Sequence, residues 1–386
     1  MIHIIIANYK PEFSDGRVQR VSGLEEYLSN ANIDYVVSSF GSTASKNRNV
    51  RKYTSFVLRY FHQVNNSQAP LKPSFSLKIA LRSFIKKFFL KACIPDVFIF
   101  DVILNYRKMR AHVQDNSIVI ISVPWFSPLL YSGIFRNSHL ILDFRDLYIG
   151  NKTFSTIALF DKFLFNFAVR HSNEIWVTTQ AAKNSLDSMV EIPVQVVPNG
   201  VSPTVISEIL PRTHETLKED TNLTIGYFGN LGGQRIFTNF FERLIAYKEV
   251  DLIGAGNFDE AHSAVFRSAY LGFLSKSELY QTMASCDLIL VCITSTEHAE
   301  FAIPAKIYEG LCFGCPIILN APPNSAAQNL LEEIDYPFLL LNSSSDVQLE
   351  TLHELATKRS EPIIFDRSLI FKKALSFSIE STAANN

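Results

Sequence analysis

The sequence predicts an α/β protein of two Rossmann-like domains facing a central cleft. Three observations lead there. Short apolar runs without alternation recur along the chain, the pattern of strands buried on both faces of a parallel sheet. Helix-length segments separate them, as βαβ units require. The runs fall into two sets, more than one ordinary open sheet holds, and 386 residues are enough for two cores.

In order, the first set is Ile2–Ala7, Ile33–Phe40, Val97–Phe100, Ile118–Val123, Leu140–Phe144 and Ile175–Thr178. The second is Leu223–Phe228, Val250–Ile253, Ala269–Phe273, Leu288–Cys292, Pro316–Leu319 and Pro337–Leu341. A helix is expected over Arg17–Ala31, with Gly16 at its entrance, where a missing side chain lets a backbone N–H approach a ligand. The Asn199-Gly200 turn and the polar stretch Thr213–Thr221 mark the boundary. Residues 1–201 form one expected domain and 202–365 the other, with a last amphipathic helix from Arg367 onward. Ligands of such sheets bind outside the carboxyl ends of the strands.

Thr294–Pro322, TSTEHAEFAIPAKIYEGLCFGCPIILNAP, reads as loop, helix, tight turn and buried strand. Pro304 suits a first helical turn, where its missing N–H removes no bond, and Gly314 suits the position just past the helix end. Lys306 and Glu309, three residues apart, share one helix face. A lysine beside free first-turn N–H groups makes a phosphate site, and a carboxylate one turn on can hold sugar hydroxyls. The same pair would also serve as a solvated surface pair worth about 0.2–0.5 kcal/mol. The glycine-rich turn Asn230-Leu231-Gly232-Gly233-Gln234-Arg235 after a strand offers backbone N–H groups and one cation to phosphate oxygens, or is a flexible turn. Asp143-Phe144-Arg145-Asp146 ends a strand; two carboxylates and an arginine there can orient a hydroxyl and accept its proton, or form an internal ion pair at a helix start.

PAKIYEGLCFGCPII resembles the word "PSKLYEYLAxGKPVI" of the retaining glycosyltransferases of family 4, which have the GT-B fold. The resemblance extends along most of the chain. Tyr227–Arg235 is similar to that family's "YxGNLG" and "GRLxxxKG" turns, Ile253–Gly256 to "LxGxG", and Gly272-Phe273-Leu274 with Ser275, Glu278 and Leu279 to "FLGxVxxxEL". Asp143–Tyr148 resembles "DxRDxW", Ser122–Trp125 the "SxPP" loop, and Pro198–Val201 the "PNGVD" segment that enters the hinge. This resemblance implies Arg235, Lys306 and Asp146 as catalytic residues. It implies donor contacts from Gly16, Asn230, Gly232, Gly233, Phe273 and Leu274, with Glu300, Ala302, Ile303 and Glu309 completing the set. It implies acceptor contacts from Asp143, Arg145, Trp125 and Asn199, a nucleotide-sugar donor as substrate, no cofactor, and a saccharide or lipid-linked acceptor of surface-polysaccharide assembly. It also implies that the last helix, within 366–386, packs back on the acceptor-binding first domain, while 202–365 binds the donor. The chain departs from the family in three places: Gly16 stands without a glycine pair, Asn230 stands where one subgroup has Arg, and Phe301 stands where the carboxylate eight residues before Glu309 is expected.

Composition narrows the function classes. At 47% hydrophobic and 19% charged, with a net charge of −1, the chain is globular and does not resemble a nucleic-acid binder. No run reaches the ~20 apolar residues of a spanning helix, and the N-terminus lacks the basic start of a signal peptide. Five cysteines then read as reduced thiols of a cytoplasmic protein, and the lone Cys312/Cys315 pair as small buried side chains rather than a zinc site. No D-x-D triplet occurs, so a diphosphate would be held by basic side chains and helix dipoles without metal. Between Asp34 and Asp96 there are eleven basic residues and no acidic one. Lys78, Arg82, Lys86 and Lys87 there form the basic face of an amphipathic helix, suited to the anionic cytoplasmic face of a membrane, to an anionic acceptor, or to plain solvation. Two other readings stay open: a nucleotide-sugar 2-epimerase, and an inactive homologue serving as a scaffold.

Overall fold

The computed structural model describes residues 1–7, 16–40, 49–53, 96, 98–123, 126–145, 158–203, 206–207, 222–231, 241, 244–266, 269–293, 301–341 and 348–384. The chain divides into two compact units, one of residues 1–178, 182–197 and 374–386, the other of residues 179–181 and 198–373.

Unit 1 is built on a seven-stranded, wholly parallel sheet of order β3-β2-β1-β4-β5-β6-β7. Its strands are β1 (Ile2–Ala7), β2 (Tyr35–Phe40), β3 (Val50–Tyr53), β4 (Ile118–Val123), β5 (His139–Phe144), β6 (Glu174–Val177) and β7 (Val194–Val196). Helices α1 (Gly16–Asn30), α2 (Ile99–His112), α3 (Ala158–Val169) and α4 (Gln180–Asp187) connect them, with a 3-10 helix at Ser127–Ile134. β1 is buried along its whole length and sits centrally, Ile4 lying between Val37 and Ile120, which is what its unbroken apolar run demands.

Three expectations change here. Val97–Phe100 is not a strand: Phe98 caps α2, whose first residue is Ile99, and a four-residue apolar run fits a helix start as well as a strand. β3 and β7 are strands that the apolar pattern did not reveal, since VRKY and VQV are short and half polar. The carboxylate of Asp96 organises the α2 region by accepting from the Phe98, Phe126 and Ser127 N–H groups and from Ser127 Oγ, at 2.5–2.9 Å.

Asp143 at the end of β5 and Arg145 just beyond it are both buried. Arg20 of α1 clamps Asp143 with Nε at 3.0 Å and Nη2 at 2.8 Å from Oδ1, while Ser122 Oγ donates to Oδ2 at 3.1 Å. Arg20 Nη1 also donates to the Val197 carbonyl at 2.9 Å, and Arg145 Nε to the Val123 carbonyl at 2.8 Å. The Arg20–Asp143 ion pair ties α1 to β5 and to the end of β7, in keeping with the ion-pair alternative for this strand end, and Asp143 and Arg145 are both held by internal partners. Deep in the same unit, Glu174 accepts from Trp176 Nε1 at 2.8 Å and from Ser378 Oγ of the last helix at 2.6 Å.

Unit 2 carries a five-stranded parallel sheet of order β12-β11-β10-β8-β9. Its strands are β8 (Leu223–Leu231), β9 (Val250–Phe258), β10 (Leu288–Cys292), β11 (Ile317–Asn320) and β12 (Phe338–Leu341). Around them lie α5 (Glu260–Phe266), α6 (Lys276–Ala284), α7 (Ala305–Cys312), α8 (Ala326–Glu333) and α9 (Leu349–Thr357). Side chains alternate between two cores: Ile289, Val291, Ile317 and Leu319 join one, and Leu288, Leu290 and Ile318 join the other. Ala269–Phe273 is not a strand; only a single bridge joins Tyr270 to Gly254.

The last helix, α10 (Arg367–Ala384), starts in unit 2, and from Ala374 its residues belong to unit 1. Its start is stitched to the Pro198–Val201 segment. Val201 N–H donates to the Phe365 carbonyl at 2.8 Å, Arg367 N–H to the Val201 carbonyl at 3.1 Å, and the Arg367 guanidinium to the Gly200 carbonyl. A Cβ on Gly200 would lie 2.4 Å from the Phe365 oxygen, so the glycine of that segment is a packing requirement. Among the described residues no helix is long and apolar enough to cross a membrane.

The buried polar groups of unit 1 give two predictions. Arg20→Met leaves the buried Asp143 carboxylate without its counter-ion and should lower unfolding free energy by about 3–5 kcal/mol in urea titrations. His3, buried in β1, has its pKa lowered to about 4, first by burial and then by Arg51. Its lowered value means the unfolded chain takes up a proton near pH 6.5 that the native fold refuses until about pH 4. Stability held above pH 6.5 should therefore fall through that window, and His3→Leu should remove about 1.4 kcal/mol per pH unit from the slope there.

Candidate functional site

Unit 2 offers the better-defined site. Its strand order turns round between β8 and β10: the chain lays β9 on one side of β8, then crosses back to β10, β11 and β12 on the other. Ligands of open parallel sheets bind at the carboxyl ends of the strands beside such a switch. The glycine-rich sequence Gly232–Arg235 follows β8 along the chain, and the next element after β10 is α7.

Backbone chemistry shapes the first of these ends. Gly229 (φ +151°) and Gly256 (φ +133°) pair across β8 and β9, and a Cβ on Gly256 would lie 2.0 Å from the Gly229 carbonyl. Gly256 N–H donates to Gly272 at 2.8 Å, Leu271 N–H to Gly254 at 2.8 Å, and Tyr270 Oη to the Gly256 carbonyl at 2.9 Å. These bonds hold the 270–275 segment against the end of β9. Ser275 then caps α6 in a reciprocal box with Glu278. On this braced loop Leu274 packs onto the core, while the Phe273 ring is 79% exposed. Asn230 is exposed at the end of β8, its carbonyl accepting from Tyr227 Oη at 2.7 Å.

The second end is α7. Pro304 occupies the cap position (φ −58°, ψ 142°), one residue earlier than the first-turn place expected for it. No side chain caps the helix among the described residues, and within its first turn Ile307 N–H donates to the Pro304 carbonyl at 3.0 Å. Gly314 (φ +67°) closes the helix in a Schellman turn, with Cys315 N–H on the Gly310 carbonyl and Gly314 N–H on Leu311. Lys306 and Glu309 meet: Lys306 Nζ donates to Glu309 Oε2 at 2.5 Å, and Tyr280 Oη of α6 donates to Oε1 at 3.3 Å. Glu309 is 4% exposed, whereas the Lys306 side chain retains 20% of its surface. A cation at the mouth with a carboxylate fixed beneath it can take an anionic group and a hydroxyl at neighbouring points. Burial, and next the charge of Glu309, push the Tyr280 hydroxyl far up, so it stays a donor to that carboxylate. Tyr280 was missed in the sequence, where nothing links it to a residue 29 positions on.

Ala302 and Ile303 are half-buried before α7, Ile303 packing on the core, and Thr179 Oγ1 donates to the Phe301 carbonyl at 3.0 Å. Asn199 is half-buried in the segment stitched to α10. Gly16 heads α1 in unit 1. Trp125, Asp146, Gly232, Gly233, Arg235 and Glu300 lie outside the described residues, as do Lys78, Arg82, Lys86 and Lys87. Cys312 and Cys315 are buried thiols whose pKa values burial pushes to about 11, in keeping with packing side chains.

No protein-family model and no curated protein matches the chain. Solved structures do match along nearly the whole length. A sucrose-phosphate synthase from Thermosynechococcus elongatus superposes with a TM-score of 0.63 at 12% identity, over 99% of each chain. An α,α-trehalose-phosphate synthase (UDP-forming) from Burkholderia vietnamiensis gives 0.56 at 10% identity, over 98% of this chain and 96% of that one. The Anabaena protein HepE, solved with UDP and glucose, gives 0.56 at 15%, over 97% and 98%. This chain has the GT-B fold. Unit 2 thus carries a loop braced on the end of β9 with an exposed Phe273 ring, and, after β10, a helix start bearing Lys306 and Glu309.

One prediction tests the brace. Gly256→Ala places a methyl against the Gly229 carbonyl at a φ that L residues rarely adopt. It should cost at least about 1–3 kcal/mol of unfolding free energy, measured by denaturant titration.

Proposed function

We propose that the chain is a retaining glycosyltransferase, similar to family 4, that moves a sugar from a nucleotide-sugar donor to a saccharide or lipid-linked saccharide of surface-polysaccharide assembly. The observation that carries this reading is the Lys306–Glu309 pair on the helix after β10, beside the strand switch of a GT-B unit. The match to synthases of sugar phosphates and to a protein solved with UDP and glucose supports it.

In this reading Lys306 and Arg235, with the backbone of Asn230, Gly232 and Gly233 and the first turn of α7, hold the donor diphosphate. Glu309, steadied by Tyr280, takes the ribose hydroxyls when Lys306 turns to phosphate. The 272–274 loop reads the base, Ala302 and Ile303 hold the transferred sugar, and Glu300, Gly16 and Asn199 border the site. As the bond from the anomeric carbon to the diphosphate oxygen breaks, its electron pair leaves with the diphosphate, and these cations stabilise that charge. The acceptor hydroxyl attacks the same face of the oxocarbenium-like centre and passes its proton to the departing phosphate oxygen. Trp125 and Asp146 wall and orient the acceptor. Basic side chains supply the positive charge, and we propose that no metal takes part. The working place is the cytoplasmic face of a membrane.

A thermal-shift series with UDP, GDP, dTDP and CMP and their sugar conjugates, in EDTA, tests the proposal. One nucleotide family should stabilise the chain by about 2.7 kcal/mol at roughly 100 times its Kd, and Lys306→Ala should abolish the shift. Absence of stabilisation by every nucleotide would favour the scaffold reading. A shift only with added divalent metal would refute the metal-free mechanism.

A further inference from the structure

Helices α2 and α3 of unit 1 both pack on the 3-10 helix Ser127–Ile134, and their outward faces share an unusual composition. Each helix holds one acidic residue, and each is turned inward: Asp101 is 0% and Asp161 1% exposed. The cations point the other way, Arg107, Lys108 and Arg110 on α2 and Lys162 and, just past its end, Arg170 on α3 being exposed. Among them stand large apolar side chains with most of their surface exposed: Ile103 59%, Leu104 66% and Phe163 62%. On α2 the arrangement is graded. Ile103 and Leu104 occupy the N-terminal half of the outward face, and the three cations come after them within two turns.

Unit 2 provides an internal contrast. Its surface helices carry exposed carboxylates of the ordinary solvated kind, Glu278 on α6, Glu332 and Glu333 on α8, Glu350 and Glu354 on α9. Single exposed apolar residues need no explanation, but three large ones among five cations, with no exposed acid on either helix, are what an amphipathic membrane-surface element requires.

We infer that the outward faces of α2 and α3 form a docking surface for an anionic phospholipid bilayer, with Ile103, Leu104 and Phe163 entering the headgroup region and Arg107, Lys108 and Arg110 lying on the lipid phosphates. This assignment rests on described residues alone and stands apart from the basic segment around Lys78–Lys87. It adds a partner to the proposed transferase without depending on the nucleotide site.

Flotation of the full chain with vesicles tests it. Vesicles of phosphatidylcholine containing phosphatidylglycerol should carry the protein, and pure phosphatidylcholine should not. Arg107→Glu with Lys108→Glu should lower partitioning by roughly tenfold or more, as should Leu104→Ser with Phe163→Ser. All four positions are exposed, and each double variant is checked for an unchanged nucleotide-induced or denaturant unfolding midpoint. No wild-type flotation at low salt overturns the proposal. So does partitioning unaffected by either double variant, which would leave the 54–95 segment as the binding element. Equal retention on a soluble polyanion, insensitive to Leu104→Ser with Phe163→Ser, also overturns it and marks a polyanion site instead. Loss of nucleotide stabilisation with flotation intact would refute the transferase reading and leave this one standing.

Discussion

The constraint that the candidate site depends on is the reversal of strand order between β8 and β10. A wholly parallel sheet buries both faces of its central strands, so those strands carry apolar side chains and polar groups collect in the loops at their ends. At most strand ends those loops are pressed down by the neighbouring crossover. At the reversal, β9 and β10 lie on opposite sides of β8 and the crossovers leave in opposite directions, the place where open parallel sheets bind ligands. Unit 2 puts Gly229 and Gly256 at the ends of β8 and β9, and Lys306 with Glu309 on the helix that follows β10. The glycines let strands run unusually close.

Much of this was legible in the sequence because it is local. Lys306 and Glu309 are three residues apart on a helix bounded by Pro304 and Gly314, and Ser275 and Glu278 obey a three-residue capping rule. Central strands such as Ile2–Ala7 and Leu288–Cys292 announce themselves by unbroken apolar runs. The failures share a physical origin. Val97–Phe100 and Ala269–Phe273 are runs too short to separate a strand from a helix start or a braced loop. β3 and β7 lie at sheet edges, where one neighbour suffices and the apolar demand is weak.

What the sequence hid is long-range pairing. Nothing near Asp143 in the chain names Arg20, which lies 123 positions away, yet that pair ties α1 to β5. Likewise Tyr280 reaches Glu309 only because α6 and α7 pack on the same core. A carboxylate with two donors is oriented before any ligand arrives, so less freedom is lost when a hydroxyl replaces one of them. Local motifs thus picked out charged residues as a group, while their partners, and hence which of them are exposed, came only with the fold.

The electrostatic character of the two units arises from where they put their acids. Unit 1 turns Glu25, Asp96, Asp101, Asp143, Asp161 and Glu174 into its interior, whereas Glu309 is the one buried acid among the described residues of unit 2. Inside unit 1 the carboxylates are internal fasteners: Asp96 gathers the starts of two helices, Asp143 clamps Arg20, and Glu174 holds Trp176 and the last helix. Burying a carboxylate is costly unless donors surround it, and these have them. The consequence lies on the outside. With the acids of α2 and α3 withdrawn, the exposed cations of those helices lose their natural neutralising neighbours, and the near-zero net charge of the whole chain conceals a positive face. The internal fastening of unit 1 and the unneutralised cations on the outer faces of α2 and α3 are therefore two results of the same placement of carboxylates.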